Sequence, residues 1–243
     1  MAVDLNEPTL VKPYEMYEGR NTKRMPELLA DGRTPASVAD IMERRLNSQN
    51  PNWKSLYFDT GDLIAYHPNG NVKVVRDAQL LRELTPKTQV VNGALMLPDG
   101  MYESLDGVEF KRTDAVFDKD LKLQDARIHQ FWQYVARDDA LLASYADAMF
   151  PEMKAQFGFD EAMGIYLAGK PEQPQARALF VGRLDSRSRL GGRDDLGGGS
   201  GRLVGVAPEA RSAPNQMVRQ PTLEQAVALI NRNMGKLGLR VSQ

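Results

Sequence analysis

Between residues 35 and 48 the apolar side chains follow a 3.6-residue period, with Val38, Ile41, Met42 and Leu46 on one face. Thr34 as N-cap and Pro35 at the first helical position predict a helix there, with Arg44 and Arg45 turned away from the buried stripe. From residue 53 to 112 the pattern changes to short β segments. Residues 55–58 and 63–67 read as strands, Pro68, Asn69 and Gly70 as a turn, and residues 72–75 as the returning strand. A short helix from Asp77 carries Leu80, Leu81 and Leu84 until Pro86 stops it. A second hairpin spans residues 89–97, because Asn92 and Gly93 supply the positive φ angles of a two-residue turn. Residues 108–112 add one more strand.

After Asp118 the helical period returns. Ile128, Phe131, Trp132 and Val135 form one stripe, and Leu141, Leu142, Tyr145 and Met149 another. Two packed helices are predicted, joined near residues 137–139, with Asp120 and Asp138 as N-caps and Pro151 closing the second. Residues 160–167 read as a weaker helix, and residues 170–175, KPEQPQ, as a linker. Residues 178–181 and 202–206 read as strands. A closing amphipathic helix starts at Thr222, where Thr222 and Gln225 make a capping box and Leu223, Ala226, Val227, Ile230 and Met234 a buried stripe. Residues 1–24 show neither period and read as an extended arm, or a strand given to a neighbour, with Tyr14, Met16 and Tyr17 as anchors. The expected fold class is therefore α+β: short antiparallel hairpins in the first half, a helical middle, C-terminal β segments and the closing helix. The expected organisation is an arm over 1–24 and one domain over 25–243, with a subdivision point at 170–175.

Composition narrows the chemistry. The 243 residues are 42% hydrophobic and 26% charged, as in an average soluble domain, and cysteine is absent. That removes disulfides, thiolate catalysis and every Cys-ligated zinc site. No apolar run reaches the roughly 18 residues of a membrane span, and the start lacks a basic end followed by an apolar stretch. A cytoplasmic, membrane-free protein is expected. With 31 basic against 32 acidic residues, general nucleic-acid binding is disfavoured. The balance conceals an asymmetry: residues 171–243 carry 11 basic and 6 acidic groups, and ten of the eleven cations are Arg.

The chemical accent falls on residues 183–201, a 19-residue stretch with six Gly, four Arg and three Asp. Connections this long are either functional or disordered. Gly197, Gly198, Gly199 and Gly201 allow backbone amides to converge on an anion, with Ser200 adding a hydroxyl and Arg193 and Arg202 neutralising charge. Asp194 and Asp195 are candidate ligands for Mg²⁺ between carboxylate and phosphate oxygens. Neither the G-x-x-x-x-G-K-[ST] loop nor a G-x-G-x-x-G turn entering a helix is present. Leu184, Leu190 and Leu196 recur every six residues, but three copies do not make a solenoid.

Catalytic constellations are incomplete. His67 reads as a strand terminus and His129 as a residue within an aromatic helix; they share no metal-ligand spacing. No G-x-S-x-G elbow occurs. Asp59, Thr60 and Gly61 match the triplet of aspartic proteases in three letters only, and a turn explains the same residues. The expectation is a soluble non-catalytic protein, self-associating as a homo-oligomer or binding a protein partner. The alternative is an enzyme or sensor that takes a phosphate-bearing small molecule or nucleotide through the Gly/Arg-rich loop. RNA binding by that loop is opposed by its three aspartates.

Overall fold

The computed structural model describes residues 12–113 and 117–208. The helix expected from Thr222 and the first eleven residues of the arm lie outside them.

The chain enters as strand β1 (Tyr14–Glu18), so part of the span read as an arm belongs to the sheet. Helix α1 (Asn21–Ala30) follows, then the two-residue strand β2 (Thr34–Pro35) and helix α2 (Val38–Asn47). The predicted helix starts three residues late. Ser37, not Thr34, is its N-cap: Ser37 Oγ accepts from the Asp40 amide, and the Asp40 carboxylate accepts from the Ser37 amide. That leaves Thr34 and Pro35 free to pair with the last strand.

The strand expected over 55–58 is met only at Phe58: a short helix α3 (Asn52–Ser55) takes its first residue, and β3 (Phe58–Tyr66) runs unbroken through the Asp-Thr-Gly-Asp sequence expected to turn. Every residue of β3 is buried. Its register against the later strand β8 (Gln175–Val181) breaks between Asp59 and Leu63. The Thr60 hydroxyl donates to the Leu179 carbonyl across that irregularity, at 2.8 Å. Strand β4 (Asn71–Val75) returns antiparallel on β3, as the alternation predicts. Then come α4 (Gln79–Arg82), β5 (Leu95–Met96), α5 (Met101–Ser104) and β6 (Val108–Lys111). Of the second hairpin only the Val91–Ala94 bridge forms; Leu95 and Met96 pair with β8 instead.

The helical middle is α6 (Leu123–Ile128), α7 (Gln130–Ala136) and α8 (Asp139–Phe157). Pro151 does not close α8. The helix continues past it to Gly158, whose φ of 74° ends it while its amide bonds the Lys154 carbonyl. Residues 165–167 are strand β7 (Ile165–Leu167), not helix, because Met163 takes φ 53° and stops any helix before it. The 183–201 stretch contributes a 3-10 turn (Leu184–Ser186) and strand β9 (Leu190–Gly192) before β10 (Arg202–Val206). Leu184, Leu190 and Leu196 are all buried, so the stretch is anchored to the core at six-residue intervals.

These strands form one mixed sheet. The main path is β1-β10-β3-β8-β9-β7, with β10–β3 and β7–β9 parallel and the other pairs antiparallel. The two-residue period of β3 sends Ile64 and Tyr66 to one face and Leu63 and Ala65 to the other. On the first face Phe131, Trp132, Leu142, Tyr145 and Met149 pack with Ile41 and Met42; on the second, Met25, Leu28 and Leu81 do so. Both faces are therefore covered, which explains why β3 reads as a continuous apolar run around its polar centre. Among the described residues no helix is long and apolar enough to cross a membrane.

Candidate functional site

The 183–202 segment lies along the end of the sheet, and its two halves make different surroundings. In the second half Asp194 turns inward and Asp195 does not. Asp194 Oδ2 accepts from Asn21 Nδ2 at 2.9 Å, at the first residue of α1. Asp195 folds back on its own turn, where Oδ1 accepts from the Gly197 amide and its carbonyl from the Gly198 amide, both at 2.9 Å. The Asp195 carboxylate also packs against Gly93, so closely that an added Cβ at Gly93 would sit 2.7 Å from it. Two of the four glycine amides expected to cradle an anion are thus already bonded to Asp195. Gly197, Gly198, Gly199 and Gly201 are absent from the residues with positive φ, so the alternating geometry of an anion-binding nest is not what these glycines adopt. Ser200 contributes its carbonyl, which accepts from the Tyr57 hydroxyl.

Gly201 serves close packing. A Cβ there would lie 2.5 Å from the Gly19 carbonyl oxygen, 2.7 Å from Asn21 Oδ1 and 3.0 Å from Asp59 Oδ2. Beside it the Arg202 amide donates to Asp59 Oδ2 at 2.8 Å. The Arg202 guanidinium leaves this cluster, pairing with Glu18 at 3.0 Å and lying over the Tyr57 ring. Arg177 approaches from β8, where it bonds the backbone carbonyls of Asp194 and Asn92. Burial pushes the Asp59 and Asp194 carboxyls above the usual carboxylate range, and at Asp194 the neighbouring Asp59 charge adds to burial. Asp59, Asn21 and Asp194 are 38 and 173 residues apart along the chain, and no periodicity links them. Only the acidic doublet at Asp194 and Asp195 was legible; the structure separates its members and gives Asp194 a different partner.

The first half of the segment builds an arginine–aromatic ladder on the sheet edge. Asp120, buried at its carboxyl end, accepts from Arg187 at 2.6 Å and from both Nε and Nη2 of Arg189, at 2.8 and 2.5 Å. Those two arginines, not burial, decide its state: they hold its carboxyl below the usual range against the opposing effect of desolvation. Arg187 lies over the Phe159 ring and Arg189 over Tyr166, with centroid distances of 4.5 and 4.7 Å. Arg193 extends the row past Tyr166, donating to the Leu167 carbonyl and to Asp118 at 3.0 Å; Arg112 closes it on the other oxygen of Asp118 at 3.1 Å. Four guanidinium groups against two carboxylates leave the row positive. Beside Arg187 and Phe159 a groove of about 510 Å³ opens, lined also by Lys122, Gln124 and Glu161. Arg193 is the only residue of this row that the sequence marked as a ligand-binding candidate. Asp120 was read as a helix N-cap, but Lys122 takes that place before α6 and the Asp120 carboxylate pairs with Arg187 and Arg189 instead. Asp118 and Tyr166 carried no local signal, because what recruits them is the pairing of β7 with β9.

The histidines stand apart from both surroundings. His67 sits 3.7 Å from Glu103 with its ring near Tyr102, and His129 marks the junction of α6 and α7. Among the described residues no three His, Asp or Glu side chains gather as metal ligands.

Asp120 makes a prediction at this point. Asp120→Ala releases Arg187 and Arg189 together and leaves two adjacent cations without their shared anion. Thermal unfolding of that variant is expected to show a loss of about 1–3 kcal/mol. A change within about 0.5 kcal/mol would mean the ladder contributes nothing to stability.

No family model matches the sequence, and no curated protein matches it. A solved protein of the Nanoarchaeota, in which a C-type lectin fold accommodates massive sequence variation, is similar in structure. The likeness covers 79% of this chain and 96% of that one, with a TM-score of 0.56 and 18% sequence identity. At that identity the likeness establishes the fold, which is C-type lectin-like.

Proposed function

We propose that this chain is a partner-binding domain, and that its contact surface is the ladder of Arg187, Arg189, Arg193 and Arg112 with Tyr166 and Phe159. The observation that carries this reading is preorganisation. Each guanidinium is pinned by a carboxylate or carbonyl and most are stacked on a ring, while the side chains stay 29 to 58% exposed. Arginine and aromatic side chains held in place lose little entropy on contact and dominate the energetics of protein interfaces. The positive row favours an acidic protein surface. A second copy of the chain also meets that description, since residues 1–170 carry 26 acidic against 20 basic groups. The C-type lectin-like fold supports the reading in a general way: in the Nanoarchaeota that fold accommodates massive sequence variation.

The test is fluorescence anisotropy with a labelled glutamate-rich peptide, using wild type, Arg189→Ala/Arg193→Ala and Arg127→Ala. Arg127 pairs with Asp147 on the helical face and serves as a control for charge alone. The double variant is expected to bind about tenfold more weakly, and Arg127→Ala as well as wild type. Equal weakening in both variants would reduce the effect to net charge and remove the ladder from the reading. Light scattering of wild type and double variant decides in the same series whether the partner is a second copy.

A further inference from the structure

We infer that Asp59, Asp194 and Asn21 form a binding site for one oxygen-seeking divalent cation, Mg²⁺ or Ca²⁺, beneath the Gly-rich end of the 183–202 segment. The site is distinct from the arginine ladder and independent of the partner-binding reading.

The first observation is an imbalance of acceptors over donors. Asp59 is fully buried and Asn21 is 1% exposed, yet Asp59 Oδ1 and Asn21 Oδ1 have no hydrogen-bond partner. A buried oxygen left in that condition is unfavourable, and more so when it carries charge. Among the described residues neither Asp59 nor Asp194 forms an ion pair. The two nearby cations act on the carboxylates as charges and not as hydrogen-bond donors from their guanidinium groups: Arg202 pairs with Glu18, and Arg177 bonds the backbone carbonyls of Asp194, Arg193 and Asn92 through its Nη groups while its Nε stays unpartnered. The hydrogen bonds the carboxylates receive come from neutral groups: the Arg202 amide and the Asn21 side chain at Asp59, and Asn21 Nδ2 and the Asp195 amide at Asp194.

The second observation is convergence. Asn21 Oδ1, Asp59 Oδ2 and the Gly19 carbonyl oxygen crowd the Cα of Gly201, within 2.5 to 3.0 Å of one point beside it. The unpartnered Asn21 Oδ1 is therefore aimed into the same small region as the Asp59 carboxylate, and the same Asn21 side chain reaches Asp194 through its nitrogen. Three elements supply the donors: the start of α1, the start of β3 and the turn after β9. The start of α1 is tied to the segment after β9 by the backbone, through Gly19 N–H to the Gly201 carbonyl at 2.8 Å and Thr22 N–H to the Leu196 carbonyl at 3.2 Å, and β3 is tied to it by the Arg202 amide on Asp59 and the pairing of Asp59 with Leu203. Two carboxylates and one amide oxygen are a hard donor set, suited to Mg²⁺ or Ca²⁺ completed by water and unsuited to soft metals. A single proton between the carboxylates satisfies one lone pair; a divalent ion neutralises both charges and engages the amide oxygen. Asp194, partly exposed while Asp59 is not, leaves the side from which the ion and its waters enter.

The experiment is isothermal titration of the chelator-stripped chain with CaCl₂ and, separately, MgCl₂, paired with thermal unfolding. Wild type is expected to bind one ion per chain with a Kd in the micromolar to millimolar range, and to unfold about 5 °C higher at saturation. Asp194→Asn, at a partly exposed position that keeps its shape, is expected to bind at least tenfold more weakly and to lose the shift. Asp59→Asn is expected to do the same, with circular dichroism reporting whether it folds. No heat and no shift with either ion would overturn the site and leave a proton-sharing acid pair. Binding retained unchanged in Asp194→Asn would overturn it equally, by placing the ion elsewhere.

Discussion

Arg45→Met is expected to destabilise the chain by about 3–5 kcal/mol, although methionine fills most of the same volume. Arg45 sits on α2 at 1% exposure and is one of the largest fully buried side chains. Its Nε donates to the Trp53 carbonyl at 2.7 Å, Nη1 to the Tyr145 and Ser188 hydroxyls at 3.0 Å each, and Nη2 to the Leu56 carbonyl at 3.1 Å. Every one of these acceptors is neutral. The guanidinium therefore acts less as an ion pair than as a fork that joins α2, α3, α8 and the turn before β9. Methionine satisfies none of the four oxygens. The Tyr145 and Ser188 hydroxyls, 2.7 Å apart, can bond each other, but the Trp53 and Leu56 carbonyls stay without the bonds Arg45 gave them. Arg45→Lys keeps the charge and reaches fewer of them, so it is expected to recover only part of the loss. Chemical denaturation with a shared m-value checks both variants. A loss below about 1 kcal/mol for methionine would show that this fork is dispensable.

Arg45 also shows where sequence reasoning stops. A helical period computed from residues 38–47 places Arg44 and Arg45 off the apolar stripe, and the period itself is right: Val38, Ile41 and Met42 are buried as it demands. Burial of Arg45 is decided by Tyr145 and Ser188, which lie 100 and 143 residues away. The hairpin of β3 and β4 was legible because its turn, register and alternation are all local. The parallel pairing of β7 with β9 and the long-range return of β1 to β10 were not, since no local pattern specifies a partner strand. The errors at Met163, Pro151 and Ser37 share one cause. A single backbone angle or cap overrode the propensity of the surrounding window. For the candidate site the Gly/Arg-rich composition pointed to the right segment and to Asp194. It said nothing of Asn21, Asp59, Asp120 or Tyr166, which become neighbours only once the sheet closes.

The glycines of that segment give the sharpest contrast between composition and geometry. Gly201→Ala is expected to cost about 3 kcal/mol or more, whereas Gly199→Ala, two residues away, is expected to change stability by less than about 1 kcal/mol in either direction. A Cβ at Gly199 meets nothing within 4 Å, and φ there is not in the left-handed region. At Gly201 the same atom enters a space held by the Gly19 carbonyl, the Asn21 amide oxygen and the Asp59 carboxylate. None of these can yield cheaply. Gly19 is tied to Gly201 by its own amide bond, Asn21 is held to Asp194, and Asp59 is held to the Arg202 amide. Relief therefore means parting β10 from the start of α1, which loosens the sheet where β1 and β3 flank β10. Thermal unfolding of the two alanine variants side by side is the measurement. Similar midpoints for both would show that the oxygens around Gly201 are soft, and that the glycine-rich run is a matter of composition rather than of position.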